Sequence, residues 1–282
     1  MKIPSEIRRC VAFTSILNTK TNAYEPNGTV FFVGQDPPEG TISSARVFAV
    51  TAKHNVTKIR DQGFNEIFLR QNKSLSATFD SPIGQNTIID QWKWLDDMSV
   101  DVAVCEIGIP NHFDELVIPF SIFSTPEKWI TSEIDLGDET LMVGLFKHHI
   151  GTDRNIPIVR IGNLAASNEE RVSTKLGLMD AYLIEARSIG GLSGSPVFIN
   201  FGVQRIINGE LKTSSNGAPL FQLIGLVHGH FDEEEAASKH SAGSSQALPL
   251  IDRINTGIAI VTPIEKVAMV LKEKFGVGVP GY

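Results

Sequence analysis

"SIGGLSGSPVF", residues 188–198, sets three glycines and three serines into eleven positions and ends in Pro-Val-Phe. Two readings compete for it. One is a turn that needs small residues. The other is a tight bend that presents Ser193 as a nucleophile, with backbone N–H groups aimed at the space beside it. Gly-rich turns are common, so the stretch does not choose between them by itself. The choice depends on whether a base and an orienting acid exist elsewhere, in a chain order that one fold can bring together.

The chain has 282 residues, 42% of them hydrophobic, with 24 glycines and 14 prolines. That is enough for one large domain or two small ones, each with its own core. A net charge of −7 argues against nucleic acid as the main partner, because nothing would neutralise phosphates in number. Cys10 and Cys105 both sit in apolar runs and cannot make a disulfide framework. They read as small buried hydrophobes of a protein in a reducing compartment. "MKIPSEIRRCVAFTSI" has charge interrupting its apolar residues and no small-residue cleavage site. No stretch approaches the ~18 apolar residues of a membrane span. The expectation is a soluble, cytoplasmic protein that does not engage membranes.

Short β-rich runs recur between turn signals: "CVAFTSI" (10–16), "GTVFFVG" (28–34), "ARVFAVTA" (45–52), "EIFLRQ" (66–71), "TIIDQWKW" (87–94) and "VDVAVCEI" (100–107). Beyond 118–138 come "ETLMVGLF" (139–146), "IPIVRIGNL" (156–164), "AYLIEA" (181–186), "SPVFI" (195–199), "FQLIGLVHGH" (221–230) and "TGIAIV" (256–261). A dozen short strands with no helices between them predict barrels or a sandwich. They fall into two halves of about six strands, 1–118 and 119–282. One helix is predicted over 262–275, with Thr262 as N-cap, Pro263 in the first turn, Glu265 completing a capping box and Gly276 as the stop. Ile264, Val267, Val270 and Leu271 would share its buried face. Segment 232–246, "DEEEAASKHSAGSSQ", reads as a solvated loop.

The candidate base is His54, in "VFAVTAKHNV", where a β-branched strand runs into Thr-Ala-Lys-His. The candidate acid is Asp101, just before an alternating apolar strand in "DDMSVDVAVCEI"; Asp96 and Asp97 are rivals in a polar loop without the strand. With Ser193 the chain order is His, Asp, Ser, one of three unrelated orders that reach the same triad geometry. The α/β-hydrolase order runs Ser, Asp, His, and its G-x-S-x-G elbow fails here at Ser195. The subtilisin order begins with Asp.

"TAKH" (51–54) resembles the TA-x-H signature of trypsin-like (chymotrypsin-fold) serine peptidases, "DVAV" (101–104) their D-x-A-x strand, and "GLSGSP" (191–196) their G-x-S-G-x-P. The resemblance extends to "GTVFFVG", "GLVHGHF" (225–231) and "IAIVTPIEKV", the last resembling the bacterial branch, and so covers nearly the whole chain. It implies an all-β fold of two six-stranded antiparallel barrels with a C-terminal helix, His54 and Asp101 coming from the N-terminal half and Ser193 from the C-terminal half. It implies a serine endopeptidase acting on polypeptide without a cofactor. Ser193 would be the nucleophile, His54 the general base, Asp101 its orienting partner, and the N–H groups of Gly191 and Ser193 the oxyanion hole.

The sequence departs from the family at Leu192. Digestive and clotting members carry there an acidic residue that pairs with a freshly cut N-terminus. Its absence implies a constitutively competent site, or one ordered by loop movement or a regulatory protein partner; the 232–246 loop is placed to gate the cleft. The resemblance implies that Arg187 sits at the floor of the primary pocket, or points to solvent where the loop lengths differ, and that Val227, His228, Gly229 and His230 form the strand that pairs with substrate. A buried arginine there would favour an acidic side chain. His228 and His230 with Asp232 to Glu235 can be drawn as a metal site, but no third ligand has a signature spacing, and no metal is expected. Two alternatives remain: a catalytically silent fold that binds a protein partner, and an esterase using the same three residues.

Overall fold

The computed structural model describes residues 3–18, 21, 23–36, 46–75, 77, 83–174, 176–186, 190–214, 220–235 and 252–282, with backbone alone over 232–235 and 252–255. The strands of the first part are β1 (Val11–Asn18), β2 (Ala23–Gly34), β3 (Val47–Thr51), β4 (Glu66–Arg70), β5 (Gly84–Ile88), β6 (Ala103–Ile107) and β7 (Ile118–Pro119). They form one sheet in the order β5-β4-β1-β2-β3-β6, antiparallel throughout, with β7 added parallel to β2. Consecutive apolar residues such as "VFFV" arise because both faces of this sheet are covered. Val30, Phe32, Ala49 and Cys105 face its own interior, where they meet Val56, Ile59 and Trp92. Phe31, Val33, Phe48, Val50 and Val104 face outward onto the rest of the molecule.

The second part contains β8 (Glu139–Gly144), β9 (Ile158–Ala166), β10 (Val172–Thr174), β11 (Gly177–Met179), β12 (Tyr182–Glu185), β13 (Pro196–Gly202), β14 (Gln204–Ile207), β15 (Glu210–Thr213), β16 (Leu220–Glu235) and β17 (Asp252–Pro263). Six of these close into an antiparallel barrel, β12-β17-β16-β13-β8-β9. Met142, Leu192, Val197, Ile199, Val227 and Val261 are among those filling it. The hairpins β10–β11 and β14–β15 stand outside; neither was visible in the apolar pattern, because their residues are largely polar or exposed. The fold is all-β and chymotrypsin-like, with the second sheet a closed barrel and the first a curled sheet.

Among the described residues three α-helices complete it: α1 (Lys53–Asp61), α2 (Pro126–Thr131) and α3 (Ile264–Phe275). The expectation of no helix between strands is corrected by the first two. α1 forms because Val56 and Ile59, three apart, drop onto the interior of the first sheet. α3 buries Ile264, Val267, Val270 and Leu271 against both sheets at once, joining them into one core. It ends on Gly276, whose φ of +64° permits the N–H groups of Gly276 and Val277 to reach the carbonyls of Lys272 and Leu271. Its predicted start at 262 is also corrected. Thr262 and Pro263 are held in register with Leu226 and Gly225, so the strand runs to Pro263 and no side-chain cap forms.

Two strand expectations shift. In 87–94 the strand ends at Ile88 and Ile89–Gln91 is a 3-10 turn, because Trp92 turns inward and donates Nε1–H to Thr87 Oγ1 at 3.0 Å. The expected loop at 232–246 is partly strand: Asp232 through Glu235 pair with Asn255 through Asp252, extending β16 and β17. The remainder of that segment lies outside the described residues.

Candidate functional site

His54 is the second residue of α1, directly after β3, and this placement fixes its direction. Asp101 precedes β6, the neighbour of β3. Its carboxylate is fully buried and accepts two bonds from His54, from the backbone N–H at Oδ1 (2.9 Å) and from Nδ1 at Oδ2 (2.7 Å). Asp96 and Asp97 take no part in this contact; Asp97 instead accepts from the backbone and hydroxyl of Ser99.

The turn that carries Ser193 is built by contacts from both sheets. Gly194 N–H donates to Val227 O (2.8 Å) and Val227 N–H to Ser195 O (2.9 Å), which fastens the turn to β16. From the first sheet, Thr29 N–H and Asn55 Nδ2 both donate to Ser193 O, at 3.1 and 2.9 Å. Thr29 Oγ1 donates to Gly191 O at 2.9 Å and accepts Leu145 N–H at 2.9 Å. Gly191 has φ +103° and Gly194 φ +86°, a region that a Cβ penalises. Among the described residues the N–H groups of Gly191 and Ser193 donate to no protein group. Thr29 and Asn55 were missed from sequence; they lie far from the motif in the chain and carry no pattern of their own.

His228 holds the most informative position. In the ladder of β16 with β17, Val227 pairs with Val261 and Gly229 with Ile260, so His228 is the extra residue of a bulge. A bulge re-aims its side chain. Here the ring turns to Asp101 and places Nδ1 2.6 Å from Oδ2, the oxygen that His54 also uses. The two rings meet edge to face with centroids 5.6 Å apart. Burial works to raise the Asp101 pKa, but the hydrogen bonds from His228 and then His54 outweigh it and hold the carboxyl well below the usual range. An ionised carboxylate only accepts, so both imidazoles carry their proton on Nδ1.

Ser193 Oγ donates to the carbonyl of His228 at 3.3 Å, and no hydrogen bond joins it to His54. His54, Ser193, His228, Gly229, His230 and Lys58 line one cavity of about 610 Å³ between the two sheets. Val227 is buried in the barrel rather than exposed to that cavity. Arg187 lies outside the described residues. His54, Asp101 and His228 bring three ligand-type atoms within 4.8 Å of one another. The separations of the two ring nitrogens from Asp101 Oδ2, 2.7 and 2.6 Å, are those of charge-assisted hydrogen bonds, shorter than the roughly 3 Å that two ligands ~2.1 Å from one ion keep between them. His228 therefore meets Asp101 and His54.

No family model matches the sequence, and no curated protein does. Solved structures do match. The chain is similar to the MamO protease domain from Magnetospirillum magneticum (apo form), at 13% identity over 94% of this chain and 97% of that one, with a TM-score of 0.51. It also matches Rv3671c from M. tuberculosis H37Rv, solved as a serine-to-alanine mutant in an inactive form, at 16% identity over 96% and 89% of the two chains, with a TM-score of 0.46. At such identities the likeness is one of fold. The chain has the trypsin-like serine peptidase fold.

Proposed function

We propose that the protein is a serine endopeptidase. The observation that carries the reading is the pair of hydrogen bonds from His54 to the buried Asp101, with His54 on the same cavity as a serine flanked by two undonated N–H groups. A serine is a weak nucleophile at its own pKa and needs such a base beside it. Ser193 Oγ, bonded to the His228 carbonyl, must turn about χ1 to bond His54 Nε2; catalytic hydrogen bonds are often long before substrate binds. Oγ then attacks the scissile carbonyl as its proton passes to Nε2. Asp101 holds the tautomer and stabilises the imidazolium, and the Gly191 and Ser193 N–H groups receive the oxyanion. The C–N bond breaks as Nε2 returns the proton to the leaving amine, and water repeats the sequence on the acyl-enzyme. An extended polypeptide would pair with β16 along His228–His230.

A second reading, a silent fold that binds a protein partner, has one observation in its favour: Ser193 is bonded to His228 O and not to His54. Labelling with a fluorophosphonate decides between them. The peptidase reading expects stoichiometric labelling that Ser193→Ala abolishes; an unlabelled wild type would favour the silent fold.

A further inference from the structure

We infer that Arg70 is a positioning residue: it clasps the loop that walls the peptide carrying the Gly191 N–H, so that releasing it slows attack by Ser193 without weakening ligand binding. The inference rests on the peptidase reading above.

That peptide lies between two glycines, Gly190 and Gly191, so its rotation meets little steric resistance. Among the described residues neither its N–H nor the Gly190 carbonyl makes a hydrogen bond. The bond from Thr29 to Gly191 O fixes the next peptide, not this one. Packing among the described residues holds it at one end only. A Cβ built on Gly190 would meet nothing within 4 Å, whereas one on Gly191 would lie 3.1 Å from the Cγ atoms of both Leu145 and Lys147. Gly190 lines the cavity shared by His54 and Ser193, and the loop after β8 supplies the wall at Gly191.

That loop, 145–157, joins β8 to β9. Lys147, His148, His149 and 152–154 are exposed, so apolar burial contributes little and hydrogen bonds decide its conformation. They reach the first sheet at two places. At the start, Leu145 N–H donates to Thr29 Oγ1. Further on, the guanidinium of Arg70, the last residue of β4, donates from Nη1 to Ile150 O (3.4 Å) and from Nη2 to Gly151 O (3.0 Å) and Thr152 O (2.8 Å). Asn155 N–H donates to Asn72 Oδ1 and Asn155 Nδ2 to Arg70 O, both at 2.6 Å. Three successive carbonyls turned toward one point repel one another unless a cation with several donors sits among them, and the guanidinium fork is both. Lys147 stands between the two attachments. With Arg70 gone, the far attachment loosens, Lys147 leaves Gly191, and the 190–191 peptide turns its N–H out of the oxyanion site for part of the time.

The test is fluorophosphonate labelling of the full chain in wild type, Arg70→Met and Arg70→Lys, followed to completion over a range of probe concentrations. Ser193 Oγ bonds to phosphorus, the P–F bond breaks and fluoride leaves, and His54 takes the hydroxyl proton. The phosphonyl oxygen gains the charge that the Gly191 N–H receives. Each time course yields a rate constant that does not depend on how much of the protein is folded, so a loss of stability alone leaves it unmoved. In Arg70→Met the limiting rate constant is expected to fall about 10- to 100-fold at an unchanged half-saturating concentration, short of the roughly 10²–10³ that outright loss of one donor costs. Arg70→Lys keeps the charge, but one nitrogen cannot span three carbonyls, so its rate constant should fall between the two. It gives the same reading where Arg70→Met does not fold. His149→Ala, in the same loop, should label as wild type, and an equal loss there overturns the inference. So does a limiting rate constant within about twofold of wild type in an Arg70 variant that folds, or a change in half-saturating concentration alone; these outcomes leave the peptidase reading intact. A wild type that does not label overturns the peptidase reading, and this inference with it.

Discussion

The hydroxyl of Thr29, on the first sheet, donates to the carbonyl of Gly191, on the turn of the second, at 2.9 Å. The same oxygen accepts the N–H of Leu145. One fully buried side chain thereby orients the peptide beside the serine from across the cleft. Leu192, the residue just before the serine, packs inside the barrel core and carries no charge for this task. Thr29→Val should leave two buried backbone groups without partners, at a cost of about 2–4 kcal/mol. It should also slow labelling of Ser193, whereas Thr29→Ser should keep both bonds. Chemical denaturation and labelling rates of the two variants check this; equal loss in both would place the effect in packing.

The three proposed catalytic residues should behave as a unit. Ser193→Ala and His54→Ala are each expected to abolish turnover, and the double variant to lose little more. Asp101→Asn should fold yet lose about 10⁴-fold in rate, because the imidazole then takes the wrong tautomer. Asp97→Asn is the control, as its side chain is bonded to Ser99. Steady-state kinetics on one peptide substrate measure all five; additive losses would mean that the wrong residues are named.

Gly194 tests how closely the two sheets approach. A Cβ there would lie 2.2 Å from Thr29 O and 2.3 Å from Thr51 Oγ1, at a φ of +86°. Gly194→Ala should cost at least about 3 kcal/mol, from left-handed strain and overlap together. Gly137 has a similar φ of +90° with nothing within 4 Å. Gly137→Ala should cost only about 1–2 kcal/mol. Urea midpoints for the pair separate contact from conformation.

Glu115 sets a pH dependence of stability. Its Oε1 accepts Asn72 N–H at 3.0 Å while Oε2 is buried without a partner. Burial, opposed by the Asn72 bond and aided by the charge of Asp114, pushes its carboxyl up to about 8. The folded state therefore holds this proton more tightly than the unfolded chain. Its contribution is full below the ordinary value of 4.5 and is lost as pH rises toward 8. Wild type should lose on the order of 3 kcal/mol across that window, and Glu115→Gln should flatten the profile. Denaturation at both ends of the window decides it; parallel profiles would remove Glu115 as the cause.

Local chemistry in the sequence determined the strand pattern, the buried face of α3, its stop at Gly276 and the candidate trio His54, Asp101 and Ser193. Each depends on neighbours within a few positions, through alternation, helical spacing or a turn that only small residues allow. The hydrogen bond from His54 to Asp101 joins residues brought together by the pairing of β3 with β6, which β4 and β5 separate in the chain. Other features were decided by tertiary structure alone. His54 begins a helix because Val56 and Ile59 find the sheet interior. Thr262 stays in a strand because β16 holds its register. Thr29 and Asn55 serve the serine turn because two sheets close on it, and His228 turns to Asp101 because one residue is left over in a ladder. Such contacts depend on register and on the distance between sheets, which arise only when the whole chain packs, so no local pattern of residues encodes them.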